Sequence, residues 1–130
     1  MEMLLKSLSL IFLSTIFLQK PLNAYDDFTK PDDIFESYKN INTRSEVLNY
    51  FTGLVEGLTW SNIVSRSESN YETFCQPKEV IISSEDGYQI YKYYYLTNKS
   101  KFDSLSVRPP ETIQPPALIL LMGLQEKYPC

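Results

Sequence analysis

The chain has 130 residues, 12 Lys and Arg against 16 Asp and Glu, a net charge of −4, and no histidine. An acidic balance argues against nucleic acid and anionic lipid as partners. The missing histidine removes the commonest general base and the commonest transition-metal ligand together, so an enzyme is the weaker expectation.

Residues Ser7–Leu18 (SLSLIFLSTIFL) form an apolar run preceded by Lys6. The run is too short for a bilayer-spanning helix, which needs about 20 apolar residues. It fits the core of a signal peptide, with Pro21 and the small residue Ala24 marking a cleavage point. The competing reading is a buried amino-terminal helix or an uncleaved anchor. We expect residues 1–24 to be removed on export and residues 25–130 to form one domain. No cysteine stands near the cleavage point, so a lipid anchor is not expected, and Ala117–Leu124 is too short to span a membrane.

The cluster Asp26, Asp27, Asp32 and Asp33 is the only sequence candidate for a metal site. Its spacing fits no ligand pattern, and it reads as a solvated acidic lead-in. No Gly-rich phosphate loop, HExxH or calcium loop is present. No metal or other cofactor is expected.

Ile34, Phe35 and Tyr38 then stand at helical spacing. A long helix follows: Thr43-Arg-Ser-Glu46 reads as a capping box, and Val47, Tyr50, Phe51, Leu54 and Leu58 lie on one face. Gly53 and Gly57 are four apart on this helix, where glycine costs about 1 kcal/mol against alanine, so they predict the close approach of another backbone. The polar run Ser65–Asn70 ends the segment.

Val80–Leu96 has two readings. Locally it resembles a β-hairpin, with β-branched and aromatic residues around Asp86-Gly87. It also fits a helix capped by Ser83 or Ser84, with Glu85 and Asp86 in the first turn. Thr97–Gln114 is polar and contains prolines, and reads as a long exposed loop. Pro115 and Pro116 start a final helix whose Ala117–Leu124 stretch is apolar nearly all round. The predicted core comprises Val47, Phe51, Leu54, Leu58, Leu118, Leu121 and Met122.

There are two cysteines, Cys75 and the last residue, Cys130. A thiol at a fraying end oxidises readily, whereas a terminal cysteine with one partner makes a staple that fixes the chain end. Such a staple needs an oxidising compartment, which agrees with export.

Four features fall in one order: Gly53-x-x-x-Gly57, Phe74-Cys75-x-Pro77, the Tyr-rich segment ending in Leu96, and Leu124-Gln-Glu-Lys-Tyr-Pro-Cys130. Together they resemble the Rap/Tai family of immunity proteins, which protect bacteria against peptidoglycan amidases delivered by type VI secretion. The resemblance implies an all-α, disulfide-stapled, single-domain bundle of about four helices, periplasmic and dimeric, that blocks the amidase's active-site cleft. It also implies that Ser84–Leu96 is helical. Many members carry a second cysteine pair at positions that correspond here to Tyr38 and Phe51. An aromatic contact there is expected to offset part of the lost cross-link.

An inhibitor must fill a cleft, so the Thr97–Gln114 loop is the candidate contact, with Phe102 as an apolar anchor and Arg108 as an ion-pairing group. The alternative for Phe102 is that it folds back onto its own domain. Tyr88 and Tyr91, in the Tyr-rich segment, are the second candidate contacts. A different class remains open: a non-enzymatic periplasmic chaperone or structural module on the same helical frame, which fold alone does not separate from an inhibitor.

Overall fold

Proline sets the start of the first helix. In the computed structural model, which describes Phe28, residues 30–105 and residues 115–130, α1 (Pro31–Lys39) carries Pro31 in its first turn, where an N–H would have no intrahelical acceptor. The expected signal peptide lies outside the described residues, as do Asp26 and Asp27. Ile34 is fully buried, and Phe35 and Tyr38 pack half-buried on the core.

The long helix α2 spans Arg44–Ser69. Its expected capping box does not form. Thr43 already has helical backbone angles (φ −111°, ψ −8°), so its hydroxyl is not aimed at the first-turn N–H groups. It donates instead to the Ser37 carbonyl at 2.8 Å and ties down the turn between α1 and α2. The helix ends where Asn70 takes the left-handed conformation (φ 55°), a common stop for which asparagine is one of the few suitable residues.

Within Val80–Leu96 the helical reading holds from Ser84 onward, with α3 covering Ser84–Thr97 and Ser83 still extended. A capping box forms here: the Asp86 N–H donates to the Ser83 hydroxyl at 3.1 Å, and the Ser83 N–H donates to the Asp86 carboxylate at 2.9 Å. Gly87 makes no turn. It faces Val55 of α2, whose side chain occupies the space that a Cβ at position 87 would need. The first half of the expected loop is also helical. After Asn98 breaks α3, α4 (Lys99–Leu105) turns Phe102 back against Tyr94 and Tyr95. The last helix, α5 (Pro116–Lys127), begins at Pro116 as expected.

Five helices and no strand are present among the described residues, so the protein is all-α with one helix more than expected. The Tyr-rich α3 lies between α2 and α5, with α1 against α2 and against one side of α3. Val47 and Phe51 are fully buried, as predicted, while Leu54, Leu58, Leu121 and Met122 are half-buried and Leu118 is exposed. In their place α5 buries Ile119, Leu120 and Leu124. Its sequence is apolar all round, so periodicity cannot choose the inward face. Gly123 chooses it: a Cβ there would stand 2.8 Å from the Ile90 side chain and 3.2 Å from the Ile90 carbonyl, so this face of α5 comes closest to α3.

The close approach expected at Gly53 and Gly57 is absent, because nothing in the described chain comes within 4 Å of a Cβ at either position. Gly53→Ala and Gly57→Ala should therefore each stabilise the domain by about 0.5–1 kcal/mol, since both sit in exposed helix interior. Gly123→Ala should destabilise it by about 1–3 kcal/mol by overpacking the α3–α5 contact. Thermal melts of the three variants check this, and a uniform response would contradict the packing.

Candidate functional site

Cys75 and Cys130 are joined, with Cα atoms 4.9 Å apart and a sequence separation of 55. The bridge does not stand alone. The Cys75 N–H donates to the Tyr128 carbonyl at 2.8 Å, a backbone bond between the two stapled segments. Upstream, Asn62 is the one buried polar side chain among the described residues, and it clamps the segment before Cys75 onto α2. Its amide donates to the Phe74 carbonyl at 2.8 Å, and its oxygen accepts from the Thr73 N–H at 2.7 Å and the Thr73 hydroxyl at 2.8 Å. Glu72, Cys75 and Cys130 place metal-type donors within 4.8 Å of one another. With the sulfurs bonded to each other, no thiolate is available there.

The expected contact residues lie elsewhere than a binding surface requires. Phe102 is 5% exposed and stacked on Tyr95 with ring centroids 5.7 Å apart, so the fold-back alternative is realised and it is not an exposed anchor. Tyr88 and Tyr91 are also buried and serve as core rings. The reason is shared: each ring lies on a helix face that another helix covers, where it removes a large apolar area from water. Arg108 lies outside the described residues. Burial, with Tyr38 and Glu85 adding to it, pushes the Tyr88 hydroxyl up to about 12. Burial pushes the Tyr91 hydroxyl up as well, and its oxygen has no hydrogen-bond partner among the described residues.

Tyr38 and Phe51, the positions of the expected aromatic contact, meet through Tyr88. Tyr38 stacks on it with centroids 3.7 Å apart, and Phe51 packs edge-on at 5.6 Å. Around this ring sits a polar cluster from three helices. The Tyr38 hydroxyl donates to Glu85 and accepts from Arg44 at 2.7 Å. Arg44 lies 4.4 Å from the Tyr38 ring centroid and 3.6 Å from the Glu85 carboxylate. Gln89 donates to Glu85 at 2.9 Å. The hydrogen bond from Tyr38, followed by that from Gln89, holds the Glu85 carboxyl below its ordinary 4.5, while desolvation and then Glu85 push the Tyr38 hydroxyl up. The Tyr38 phenol is thus kept protonated and the Glu85 carboxyl ionised, the states that suit their mutual hydrogen bond. The cluster fastens α1, α2 and α3 together.

What the described surface offers is apolar contact area. Between α3 and α5 an open groove of about 500 Å³ is lined by Gln89, Ile90, Tyr93, Tyr94, Gly123 and Lys127, and Tyr93 on its rim is 65% exposed. On the outer side of α2, Trp60 is also 65% exposed, with Ile63 and Val64 about half exposed beside it. No local signal separates these residues from the core ones: Tyr93 is one tyrosine among several in its segment, and Trp60 follows the apolar positions of α2. Asn62 gave no signal, since an asparagine within a helix is usually solvated.

The molecule belongs to the class of small, disulfide-stapled, all-helical domains. Comparison with protein-family models, with curated proteins and with solved structures gave no match.

The native carboxylate of Glu85 is favoured over its unfolded counterpart. Its contribution to stability is therefore complete above pH 4.5 and lost as pH falls through the depressed native value. Melting temperature should drop on acidification below that point, and Glu85→Gln should flatten the drop; parallel curves for the two proteins would contradict it. Tyr91→Phe removes a buried hydroxyl without a partner among the described residues and should stabilise the domain by about 1 kcal/mol in a denaturant melt.

Proposed function

We propose that this protein is an exported, non-catalytic immunity protein of the Rap/Tai type that binds a peptidoglycan amidase in the periplasm and occludes its active site. The observation that carries the reading is the bridge from the terminal Pro129-Cys130 to the Phe74-Cys75-x-Pro77 motif, the two most distinctive parts of the resemblance. The helical state of Ser84–Thr97 adds support, because the resemblance implies a helix where local sequence equally favours a hairpin. A disulfide also suits an oxidising compartment. With Phe102, Tyr88 and Tyr91 buried, the contact falls to residues that stay exposed.

The experiment is an inhibition assay with the chain purified from the periplasm and the amidase encoded beside its gene. Peptidoglycan hydrolysis should stop at about one inhibitor chain per enzyme, and the inhibitor should remain uncleaved. Undiminished hydrolysis at excess inhibitor, with no complex on size-exclusion chromatography, would refute the assignment.

A further inference from the structure

Gly53, Gly57, Trp60 and Val64 follow one another at spacings of four, three and four along α2. At 3.6 residues per turn they fall within roughly 60° of helix circumference and extend about 16 Å along the axis. All four are exposed. The glycines face open space, so no part of the described chain uses the shallow trough they leave in the helix surface. Two glycines at this spacing let a second helix approach backbone to backbone, and a tryptophan beside such a trough is the kind of side chain that anchors an interface.

Charge narrows what fits. Glu46, Glu56 and Glu68 flank the stripe, all exposed, and none is in an ion pair among the described residues. The two basic residues of α2 are engaged away from this face: Arg44 with Tyr38 and Glu85, Arg66 with Glu72. Among the residues of α2, the charged groups that border this apolar trough are thus acidic. A second copy fits it badly. Antiparallel docking centred on Gly57 sets Glu46 of one molecule opposite Glu68 of the other, and parallel docking sets Glu56 beside Glu56. An anionic bilayer is repelled by the same charges.

We propose that this face of α2 docks a basic, amphipathic helical segment of a partner protein, with the partner's backbone over Gly53 and Gly57 and its Lys or Arg side chains on the three glutamates. The proposal deepens the reading of the protein as a binding protein by naming the chemistry of the partner's contact segment. It does not require that partner to be the amidase.

Trp60 is the single tryptophan of the chain, so fluorescence excited at the red edge, where the ten tyrosines do not absorb, reports on this face. Cesium should quench it more strongly than iodide, because an acidic rim concentrates cations. A synthetic Lys-rich amphipathic helix with an alanine seam should produce a saturable blue shift that weakens with salt, and the same peptide with Glu in place of Lys should produce none. Reversing the rim (Glu46→Lys, Glu56→Lys, Glu68→Lys) should exchange the two peptides. Gly57→Leu should weaken the Lys peptide at least about tenfold while circular dichroism stays unchanged. Iodide quenching equal to cesium, or equal response to both peptides, would overturn the proposal. A blue shift on concentrating the protein alone would assign the face to a second copy, and one on adding phosphatidylglycerol vesicles would assign it to a membrane; either overturns it. Each of these results leaves the amidase assay to stand or fall separately.

Discussion

Tyr88 and Tyr91 of α3 have their rings enclosed, and a side chain of that size must be met by other groups on every side. That requirement organises the domain. Phe51 packs edge-on against both rings, Phe35 approaches both from α1, and Tyr38 stacks on Tyr88 from the solvent side. One turn further along, Tyr94 and Tyr95 receive Phe102 from α4. The opposite side of α3 is left for α5, and Gly123 lets that helix come close enough to bury Ile119, Leu120 and Leu124. Nearly every neighbour of α3 is thus placed by the volume of its side chains.

The stretch between α2 and α3 has no helical ladder to hold it, and its backbone groups need partners elsewhere. Asn62 meets two consecutive residues, Thr73 and Phe74, and the next one, Cys75, is bonded both through its N–H and through its sulfur. Phe74, between these attachments, is buried. The disulfide closes 55 sequence steps, for which the loss of unfolded-chain entropy is worth about 4 kcal/mol. It acts together with Asn62, because a staple restricts the chain end only as far as the segment it is stapled to is itself fixed. Clamp and bridge together connect the far end of α2 to the end of α5.

Large tyrosines and phenylalanines went inward and left the outer surface to fewer, isolated side chains. This is why contact residues chosen for aromatic size alone turned out to be core. Phe102 stood in polar company in the sequence, yet seven residues of helix sufficed to bring it onto Tyr95. Conversely Trp60 and Tyr93, which fit a helical stripe as well as any core residue, are the ones left in water.

Much of the architecture was legible in the residues. Pro116 marks a helix start because proline suits a first turn, the polar run to Asn70 marks a stop, and two cysteines leave one internal pairing. These are local rules, satisfied within a few residues or by elimination. The state of Ser84–Thr97 was not local, since its β-branched and aromatic residues serve a hairpin as well as a helix. The capping box at Ser83 and the burial of Gly87 against Val55 favour the helix, and the second of these exists only once α2 is alongside. The same holds for the glycines. Gly53 and Gly57 carried the sequence signal for close packing and face open space, while Gly87 and Gly123 make the close contacts. A missing Cβ is visible in a sequence, but whether another element comes to fill its place is decided by how whole helices pack, and that is a property of the tertiary structure alone.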